Sequence, residues 1–291
     1  MLNFLYDAYA FLFSRKAFNK FNKRLFVLSL RGLGILNYKS DRQSGEANFI
    51  VSHLSTAERG VVFDVGANVG NYSKKIRAIN KNVAIYCFEP HPHTFQKLKS
   101  SVKSLGIETF NVAVGVADEN LKLYDYENDD GSEHASLYRD VIETIHQGKA
   151  VEHEVKVITL NAFAIEHQVE KVLLLKIDTE GNELSVMKGF ESYIRQGKVD
   201  LIHFEFNNLN VVSRTFFKDF WEFLPNYDLY RMVRDGLVHI KIYDPVHCEI
   251  FAYQNIVAKL RPQLAKSSER ESEIVARQAS IQLSKNSEVN S

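Results

Sequence analysis

Five short runs of nearly continuous apolar residues recur between residues 60 and 206. They read GVVFDVG (60–66), VAIYCFEP (83–90), ETFNVAVG (108–115), KVLLLKID (171–178) and VDLIHFEF (199–206). Unbroken apolar runs are typical of strands that are covered on both faces. Segments with helical periodicity lie between most of them, at 72–79, 93–105 and 182–195. The alternation predicts an α/β fold with a mostly parallel, Rossmann-like sheet and helices on both faces.

Two regions depart from this alternation. Within residues 121–164, LKLYDYEN and HEVKVITL read as a strand pair that flanks the loop DDGSEHASLYRD. We expect this loop to form a lid above the sheet edge and to contact a substrate through His134, Ser136 and Tyr138; a solvated surface loop is the alternative. After residue 206, YDLYRMV, VHIKIYD and QNIVAKL predict antiparallel strands that close the sheet.

The two ends of the chain differ from the main domain, which we expect at 45–260. Residues 1–44 form an extension whose first segment, MLNFLYDAYAFLFSRKAFNKFNKRL, carries aromatic and basic residues at helical spacing. This pattern predicts an amphipathic helix that docks on its own domain or on a second subunit of a homo-oligomer, or else lies on an anionic membrane surface. Residues 261–291 lack aromatic residues and are rich in Ser, Glu and Gln, which predicts a disordered tail.

Composition and charge narrow the function classes. The chain contains 36 Lys and Arg against 36 Asp and Glu, so we expect no nucleic-acid partner, because such proteins usually carry a strong positive field. Its two cysteines lie far apart and outside zinc-site spacings, which favours a reducing compartment. No apolar run approaches the roughly 20 residues that cross a bilayer, and the first residues do not read as a signal peptide. These features predict a cytoplasmic location, with the inner face of the membrane as a peripheral site.

The first strand runs into the turn FDVGANVG, and the second strand ends at an acid, Glu89 in CFEP. Glycines allow a ligand to approach the backbone, and the helix that follows offers free N–H groups. An acid that ends the next strand is typical of a nucleoside site, where it binds the ribose hydroxyls. The turn lacks the G-x-G-x-x-G spacing of dinucleotide sites, and Asp64 would repel a pyrophosphate. Asp64 would instead attract an ammonium group, which favours S-adenosylmethionine over NAD.

Charged and polar residues interrupt two of the apolar strands. Lys176 and Asp178 project from one face at the end of the fourth strand, and His203 and Glu205 share a face of the fifth. Burying such groups is costly unless they are paired. One interpretation is a structural ion-pair network, in which Lys176 binds Glu205. The other is a catalytic cluster at the carboxyl edge of the sheet, where ligands bind in open α/β folds.

The motifs FDVGANVG, FEPHP, NVAVG, LLLKIDTEGNE and IHFEF occur in this order over residues 46–259. In sequence and spacing they resemble the FkbM family of S-adenosylmethionine-dependent methyltransferases. The resemblance implies a class I methyltransferase fold, a methyl transfer reaction and a set of cofactor contacts. These contacts are Asp64, Gly66, Asn68 and Gly70 for the methionine part, Glu89 for the ribose, and Asn111 and Ala113 near the adenine.

Methyl transfer to a hydroxyl needs a base within hydrogen-bond reach, because the hydroxyl is a weak nucleophile until it loses its proton. Asp178 ends its strand beside the expected methyl group and is the first candidate, and His203 is the alternative base. Lys176 and Glu205 complete the expected catalytic cluster. Asp178 and Glu180 could also hold a magnesium ion, which would lower the pKa of the hydroxyl.

The resemblance implies an acceptor hydroxyl on a sugar, in polysaccharide or glycolipid biosynthesis or in a related natural product. Two other functions stay open. One is a nicotinamide-dependent oxidoreductase, and the other is a scaffold protein that binds a nucleoside without turnover.

Overall fold

The computed structural model describes residues 2–126 and 149–262, with Arg139, Glu143 and Gln147 between these ranges. The expected lid contacts at His134, Ser136 and Tyr138 lie outside the described residues, as do residues 263–291 of the expected tail.

The helices are α1 (Leu2–Phe13), α2 (Asn19–Gly32), α3 (Asp41–Ser44), α4 (Glu46–Leu54), α5 (Asn71–Ile79), α6 (Pro92–Val102), α7 (Leu160–Glu166), α8 (Glu183–Lys188), α9 (Glu191–Arg195), α10 (Phe217–Phe223) and α11 (Pro245–Cys248). The strands are β1 (Gly60–Val65), β2 (Val83–Phe88), β3 (Glu108–Phe110), β4 (Ala113–Val114), β5 (Glu119–Tyr126), β6 (Ala150–Ile158), β7 (Val172–Ile177), β8 (Val199–Phe206), β9 (Tyr227–Val233), β10 (Gly236–Ile240) and β11 (Gln254–Leu260). Short 3-10 turns lie at Lys16–Phe18 and Asn208–Val211.

Eight strands form the main sheet in the order β10, β9, β11, β8, β7, β1, β2, β3. The strands from β8 to β3 in this order are parallel to one another. Strand β11 runs antiparallel to both of its neighbours, β8 and β9, and β10 adds an antiparallel edge. The expected fold, a mostly parallel sheet closed by an antiparallel strand, is therefore confirmed. The chain order reverses between β1 and β7, and ligands bind at such a point in open α/β sheets.

Both faces of the main sheet are covered, as the continuous apolar runs predict. One face packs against α4, α5 and α6, with Phe49, Ile76 and Leu98 among the buried side chains. The other packs against the helices from α7 to α11, with Phe163 and Phe220 in its core. Residues that alternate along each strand thus enter two different cores.

The expected strand at 108–115 is divided between two sheets. Its first part, β3, extends the main sheet, whereas β4 joins β6 and β5 in a separate three-stranded sheet. The division occurs at Asn111, whose side-chain amide donates to the carbonyls of Glu89 and Pro90 and ties the chain to the segment after β2. The expected strand pair at 121–164 forms as β5 and β6, which are antiparallel.

The expected helix at 182–195 is also divided, into α8 and α9. The division occurs at Gly189, which lies against the backbone of Gly115. A Cβ at position 189 would lie 1.9 Å from the Gly115 carbonyl oxygen, so the close approach of the two segments requires glycine.

The N-terminal extension forms two helices where the sequence indicated one. Helix α1 ends at Phe13, a 3-10 turn follows, and α2 returns alongside α1. The hydroxyl of Tyr9 donates to Asn22 Oδ1 at 2.6 Å, and the Phe13 ring packs edge-on against Phe18 with centroids 5.0 Å apart. We refer to residues 2–32 as the N-terminal hairpin.

Gly66 joins the ends of β1 and β7 at close range. It has φ of +76°, and a Cβ there would lie 1.7 Å from the Asp178 carbonyl oxygen. The Asp178 N–H donates to the Val65 carbonyl at 2.9 Å, which holds the two segments together. Position 66 therefore requires a residue without a Cβ, because the end of β7 packs against its backbone.

We predict that Gly66→Ala lowers the free energy of unfolding by about 3–5 kcal/mol, because it adds a steric clash to an unfavourable positive φ. The control is Gly106→Ala, since Gly106 also has a positive φ, +62°, but no atom lies within 4 Å of its added Cβ. The control should lose about 1–2 kcal/mol. Urea unfolding measures both variants, and equal losses would contradict the close approach at Gly66.

Candidate active site

A cavity of about 660 Å³ opens at the carboxyl ends of β1, β2, β7 and β8. This volume lies within the range of roughly 300–1,000 Å³ that is common for small-molecule sites. The acidic residues among its described lining are Glu46, Asp64, Glu89, Asp178, Glu180 and Glu205, and the basic residues are Lys75 and Lys176. Acids outnumber bases around this cavity.

Glu89 follows β2 and faces the glycine turn. Its Oε2 accepts a hydrogen bond from the Asn68 N–H at 2.9 Å, and its Oε1 accepts one from the His91 N–H at 2.8 Å. Burial raises the pKa of Glu89 to about 7, although both backbone hydrogen bonds oppose that rise. The carboxyl is thus fixed in place at the cavity wall, where it can accept further hydrogen bonds in its ionised form.

Asp64 ends β1 and is 1% exposed. Its Oδ2 accepts a hydrogen bond from the Ser73 hydroxyl at 2.6 Å, which ties β1 to α5. Burial raises the pKa of Asp64, and the Ser73 hydrogen bond opposes this. Asp64, Gly66 and Asn68 all line the cavity, as the sequence analysis expected.

Gly70 is outside the cavity lining. It has a positive φ of +78° and packs under α6, where an added Cβ would lie 2.8 Å from Leu98 Cδ1. Asn111 is also outside the lining, since its amide is committed to the turn after β3, whereas Ala113 lines the cavity. The structure therefore brings Ala113 but neither Gly70 nor Asn111 to the cavity wall.

Lys176 is buried and lies in the middle of the acidic groups. Its Nζ is 3.0 Å from Asp178 Oδ2, so Asp178 is its ion-pair partner in place of the expected Glu205. Burial by itself lowers the pKa of Lys176, but surrounding carboxyls outweigh that effect and raise it. These carboxyls belong to Asp178, Glu205, Glu46 and Asp64.

Glu205 and Glu46 add further negative charge beside Lys176. Burial and then the neighbouring Asp178 raise the pKa of Glu205 well above its usual value. Burial also raises the pKa of Glu46, with Lys176 acting in the opposite direction. Glu46 begins α4, away from the strand ends at which the sequence predicted site residues. The acid in the SGE segment was the signal that could have found it.

His203 is fully buried on β8, outside the cavity lining. Its Nδ1 lies 3.0 Å from the Tyr72 hydroxyl, and its Nε2 lies 3.0 Å from Asn255 Oδ1. Burial, with the charge of Lys176, lowers the pKa of His203 to about 3. Both ring nitrogens are therefore engaged in hydrogen bonds, and the imidazole is neutral and shielded from the cavity.

The loop after β7 is shaped by Glu183, which the sequence analysis did not single out. Its Oε1 accepts hydrogen bonds from the Thr179 N–H at 3.2 Å and from the Gly181 N–H at 3.0 Å. The carboxyl therefore folds the segment TEG back on itself and holds Thr179 and Glu180 at the cavity wall.

Two tyrosines from distant parts of the chain close one side of the cavity. The rings of Tyr38 and Tyr253 meet edge to face with centroids 5.9 Å apart, and both line the cavity. Neither lies in a motif of the sequence analysis, because their proximity depends on how the extension packs against β11.

The expected magnesium ligands do not form a donor set. One oxygen of Asp178 is already paired with the Lys176 ammonium. Among residues 2–126 and 149–262, no group of three or more His, Cys, Asp or Glu side chains is arranged to hold a metal ion. The described residues thus do not fit a metal at Asp178 and Glu180.

Similar solved structures include a precorrin-6y C5,15-methyltransferase from Geobacter metallireducens GS-15, with 9% identity and a TM-score of 0.39 over 74% of this chain and 87% of that chain. An rRNA methylase from Streptococcus thermophilus has 11% identity and a TM-score of 0.39, over 74% and 95% of the two chains. A SAM-dependent O-methyltransferase from Thermotoga maritima has 11% identity and a TM-score of 0.35, over 74% and 65%.

A curated relative from Beauveria bassiana (strain ARSEF 2860), named Methyltransferase 1, is 27% identical over 148 residues. The match covers 45% of this chain and spans 58% of the length of that relative. A family model described as the methyltransferase FkbM domain matches residues 64–232, which is more than half of the chain. The matched range begins at Asp64 and includes the glycine turn, Glu89 and the KIDTEG segment. The chain therefore belongs to the FkbM methyltransferase family.

Proposed function

We propose that this protein is an S-adenosylmethionine-dependent O-methyltransferase. The observation that carries the proposal is the acidic cavity beside the glycine turn from Asp64 to Gly70, a turn typical of nucleoside sites. Six carboxyls and two lysines stand among its described lining residues, and burial raises the pKa of several of the acids. Because burial is the first cause of these raised pKa values, the ionised carboxyls are poorly solvated, and a cationic ligand in the cavity would stabilise them.

Both lysines of the cavity are already paired. Lys176 lies 3.0 Å from Asp178, and Lys75 lies 3.0 Å from Asp41. A pyrophosphate would thus meet an acidic wall whose cations are engaged. This disfavours the nicotinamide oxidoreductase, whereas S-adenosylmethionine carries an ammonium and a sulfonium that suit the same wall.

In this proposal the residues around the turn hold the cofactor. Glu89 accepts hydrogen bonds from the ribose hydroxyls, and Asp64 provides negative charge for the ammonium of the methionine part. Asn68, Gly66 and Ala113 form the walls beside them. When bound, the cofactor supplies a methyl group that is already activated by its sulfonium.

The residues at the end of β7 act on the acceptor. Asp178 is the proposed base, since it lies at the cavity wall and is about one third exposed, with a side-chain value of 37%. Lys176 holds one of its oxygens, which leaves the other to accept a hydrogen bond from the acceptor hydroxyl. Glu205 and Glu46 raise the pKa of Lys176, and His203 on β8 holds the Tyr72 hydroxyl through a hydrogen bond. No step requires a metal.

The proposed acceptor is a small molecule or glycan with a free hydroxyl on a sugar, as the family resemblance suggests. A scaffold protein without turnover is the alternative that retains the same cavity. The pairing of Lys176 with Asp178 favours catalysis, because the partly exposed Asp178 lines the cavity and can contact an acceptor there.

We predict that the protein binds S-adenosylmethionine and S-adenosylhomocysteine but not NAD in calorimetric titrations. Glu89→Gln should weaken both interactions by at least roughly tenfold, since it replaces a charged hydrogen-bond acceptor. The matched control is Glu108→Gln, an exposed acid at the start of β3 that lies outside the cavity lining. Binding of NAD alone, or of none of the three by a folded protein, would overturn the proposal.

We predict that Asp178→Asn lowers kcat by about 100- to 10,000-fold, because the amide cannot accept the hydroxyl proton. The variant should stay folded with nearly unchanged cofactor affinity, although it loses some thermal stability with the Lys176 ion pair. The assay follows transfer of a labelled methyl group to glycan and glycolipid acceptors. Asp200→Asn is the control, since it removes a carboxylate from another lysine ion pair, with Lys171 at 3.0 Å, away from the cavity. Joint loss of folding and cofactor binding in Asp178→Asn would instead assign Asp178 a structural role.

We predict that cofactor affinity falls as the pH is lowered through neutrality. The raised pKa of Glu89, about 7, means that the carboxyl is protonated below this value and loses an acceptor for the ribose. Affinity should be roughly fivefold weaker at pH 6 than at pH 7, while a ligand α-amino group, with a pKa of about 7.7–8.0, stays mostly protonated. Calorimetry on Glu89→Gln should show a flatter profile, and an unchanged slope would assign the effect to another group.

A further inference from the structure

The N-terminal hairpin leaves large apolar side chains on the surface. In α1, Phe4 is 74% exposed and Phe11 is 75% exposed, and in α2, Phe26 is 60% exposed. Others that are at least 40% exposed are Leu5, Tyr6, Tyr9, Leu12, Phe21, Leu25, Val27 and Leu28. A helix that is apolar around most of its circumference is normally covered by protein or lipid. A contiguous apolar surface of this kind marks an interaction site.

The body of the protein does not cover this surface. Within α2, Asn19–Gly32, Leu30 is the buried residue, and it lies near the end of the helix that leads into the main domain. The rings of the hairpin contact each other, as Phe13 does with Phe18 and Phe21, but most remain open on their outer side. These side chains are therefore not covered by the protein's own domain, which was one of the expectations from the sequence.

Positive charge is concentrated on the same element. Residues 14–40 contain Arg15, Lys16, Lys20, Lys23, Arg24, Arg31 and Lys39, and no acidic residue. The chain as a whole carries equal numbers of acidic and basic residues, so this charge is segregated to the hairpin and the segment after it. Aromatic residues next to Lys and Arg are the composition that binds the surface of anionic lipid membranes.

A second copy of this chain is a poorer occupant for the surface. A two-fold symmetric contact would place the same patch on both sides of the interface. The six basic residues of one hairpin would then face those of the other, with a single acid, Asp7, on each hairpin to neutralise them. An anionic surface offers both the apolar environment and the opposite charge.

We propose that the N-terminal hairpin docks on an anionic lipid surface and lies in the plane of the membrane. The 12 residues of α1 extend about 18 Å, which is shorter than the roughly 30 Å hydrocarbon core. None of the described helices is long and apolar enough to cross a membrane.

The hairpin is connected directly to the cavity. The Leu36 N–H, four residues after α2, donates to the Tyr253 carbonyl at 2.8 Å. The ring of Tyr253 packs on Tyr38, and both rings line the cavity. Docking therefore brings this side of the cavity close to the lipid surface. Resting on the proposed function, this geometry assigns the acceptor hydroxyl to a lipid-linked molecule.

Flotation of the full-length protein with vesicles tests the proposal. The vesicles contain phosphatidylcholine alone or with roughly one third phosphatidylglycerol, at low and at physiological ionic strength. We expect binding to the anionic vesicles, weakened by salt. Replacing Lys20, Lys23 and Arg24 together by Glu should weaken it by roughly a hundredfold or more. The control replaces Lys97, Lys99 and Lys103 of the α6 region by Glu, which changes the net charge equally and should leave vesicle binding intact.

A second pair of variants tests the apolar contribution. Phe4→Ser with Phe11→Ser should release the protein from anionic vesicles, whereas Ile242→Ser with Val246→Ser, at sites that are 78% and 77% exposed, should not. Absence of vesicle binding by the wild type, equal loss in the charge control, or a dimer that Phe11→Ser dissociates would each overturn the proposal. Calorimetry with S-adenosylmethionine on the same samples keeps the two proposals apart, because vesicle binding does not depend on the cofactor and cofactor binding does not depend on the hairpin.

Discussion

The ammonium of Lys176 lies among several carboxyls at the carboxyl edge of the sheet, and the arrangement of the cavity depends on this mutual neutralisation. A lysine buried without acids would lose its proton or destabilise the fold, and the acids without the lysine would repel one another. The parallel strands make the arrangement attainable, since they bring the ends of β1, β7 and β8 to one edge. Asp64 and His203 flank Lys176 in direct register on either side.

The carboxyls of the cavity wall are only partly neutralised, and this excess of acid affects both the stability of the free protein and its affinity for a cationic ligand. Six carboxyls line the cavity against two lysines, and burial raises the pKa of Asp64, Glu89 and Glu205. A protein that had evolved for stability alone would be expected to replace some of these acids by apolar residues. Retention of acid beside a nucleoside-type turn is instead what a cationic cofactor requires. The same carboxyls that destabilise the free protein would be stabilised when that ligand is bound.

The structure also changes the interpretation of individual motif residues. Gly66 and Gly70 were expected to leave room for a ligand, yet their missing Cβ atoms make room for Asp178 and for Leu98. The turn shapes the cavity wall, and its Asn68 N–H holds Glu89 in place. Glu183 has a comparable role after β7, where one carboxyl organises the loop that carries the cavity wall.

The sequence by itself determined most of the strands, the helices after β1 and β2, and the family, because periodicity and turn chemistry are local properties of the chain. It also placed Asp64, Glu89 and Asp178 at strand ends. Only the tertiary structure decided that Lys176 pairs with Asp178, that His203 is sealed behind Tyr72, and that Glu46 joins the cavity. It also decided that the N-terminal segment folds back as a hairpin with open aromatic faces. These outcomes depend on distances between residues far apart in the chain, which no local pattern encodes.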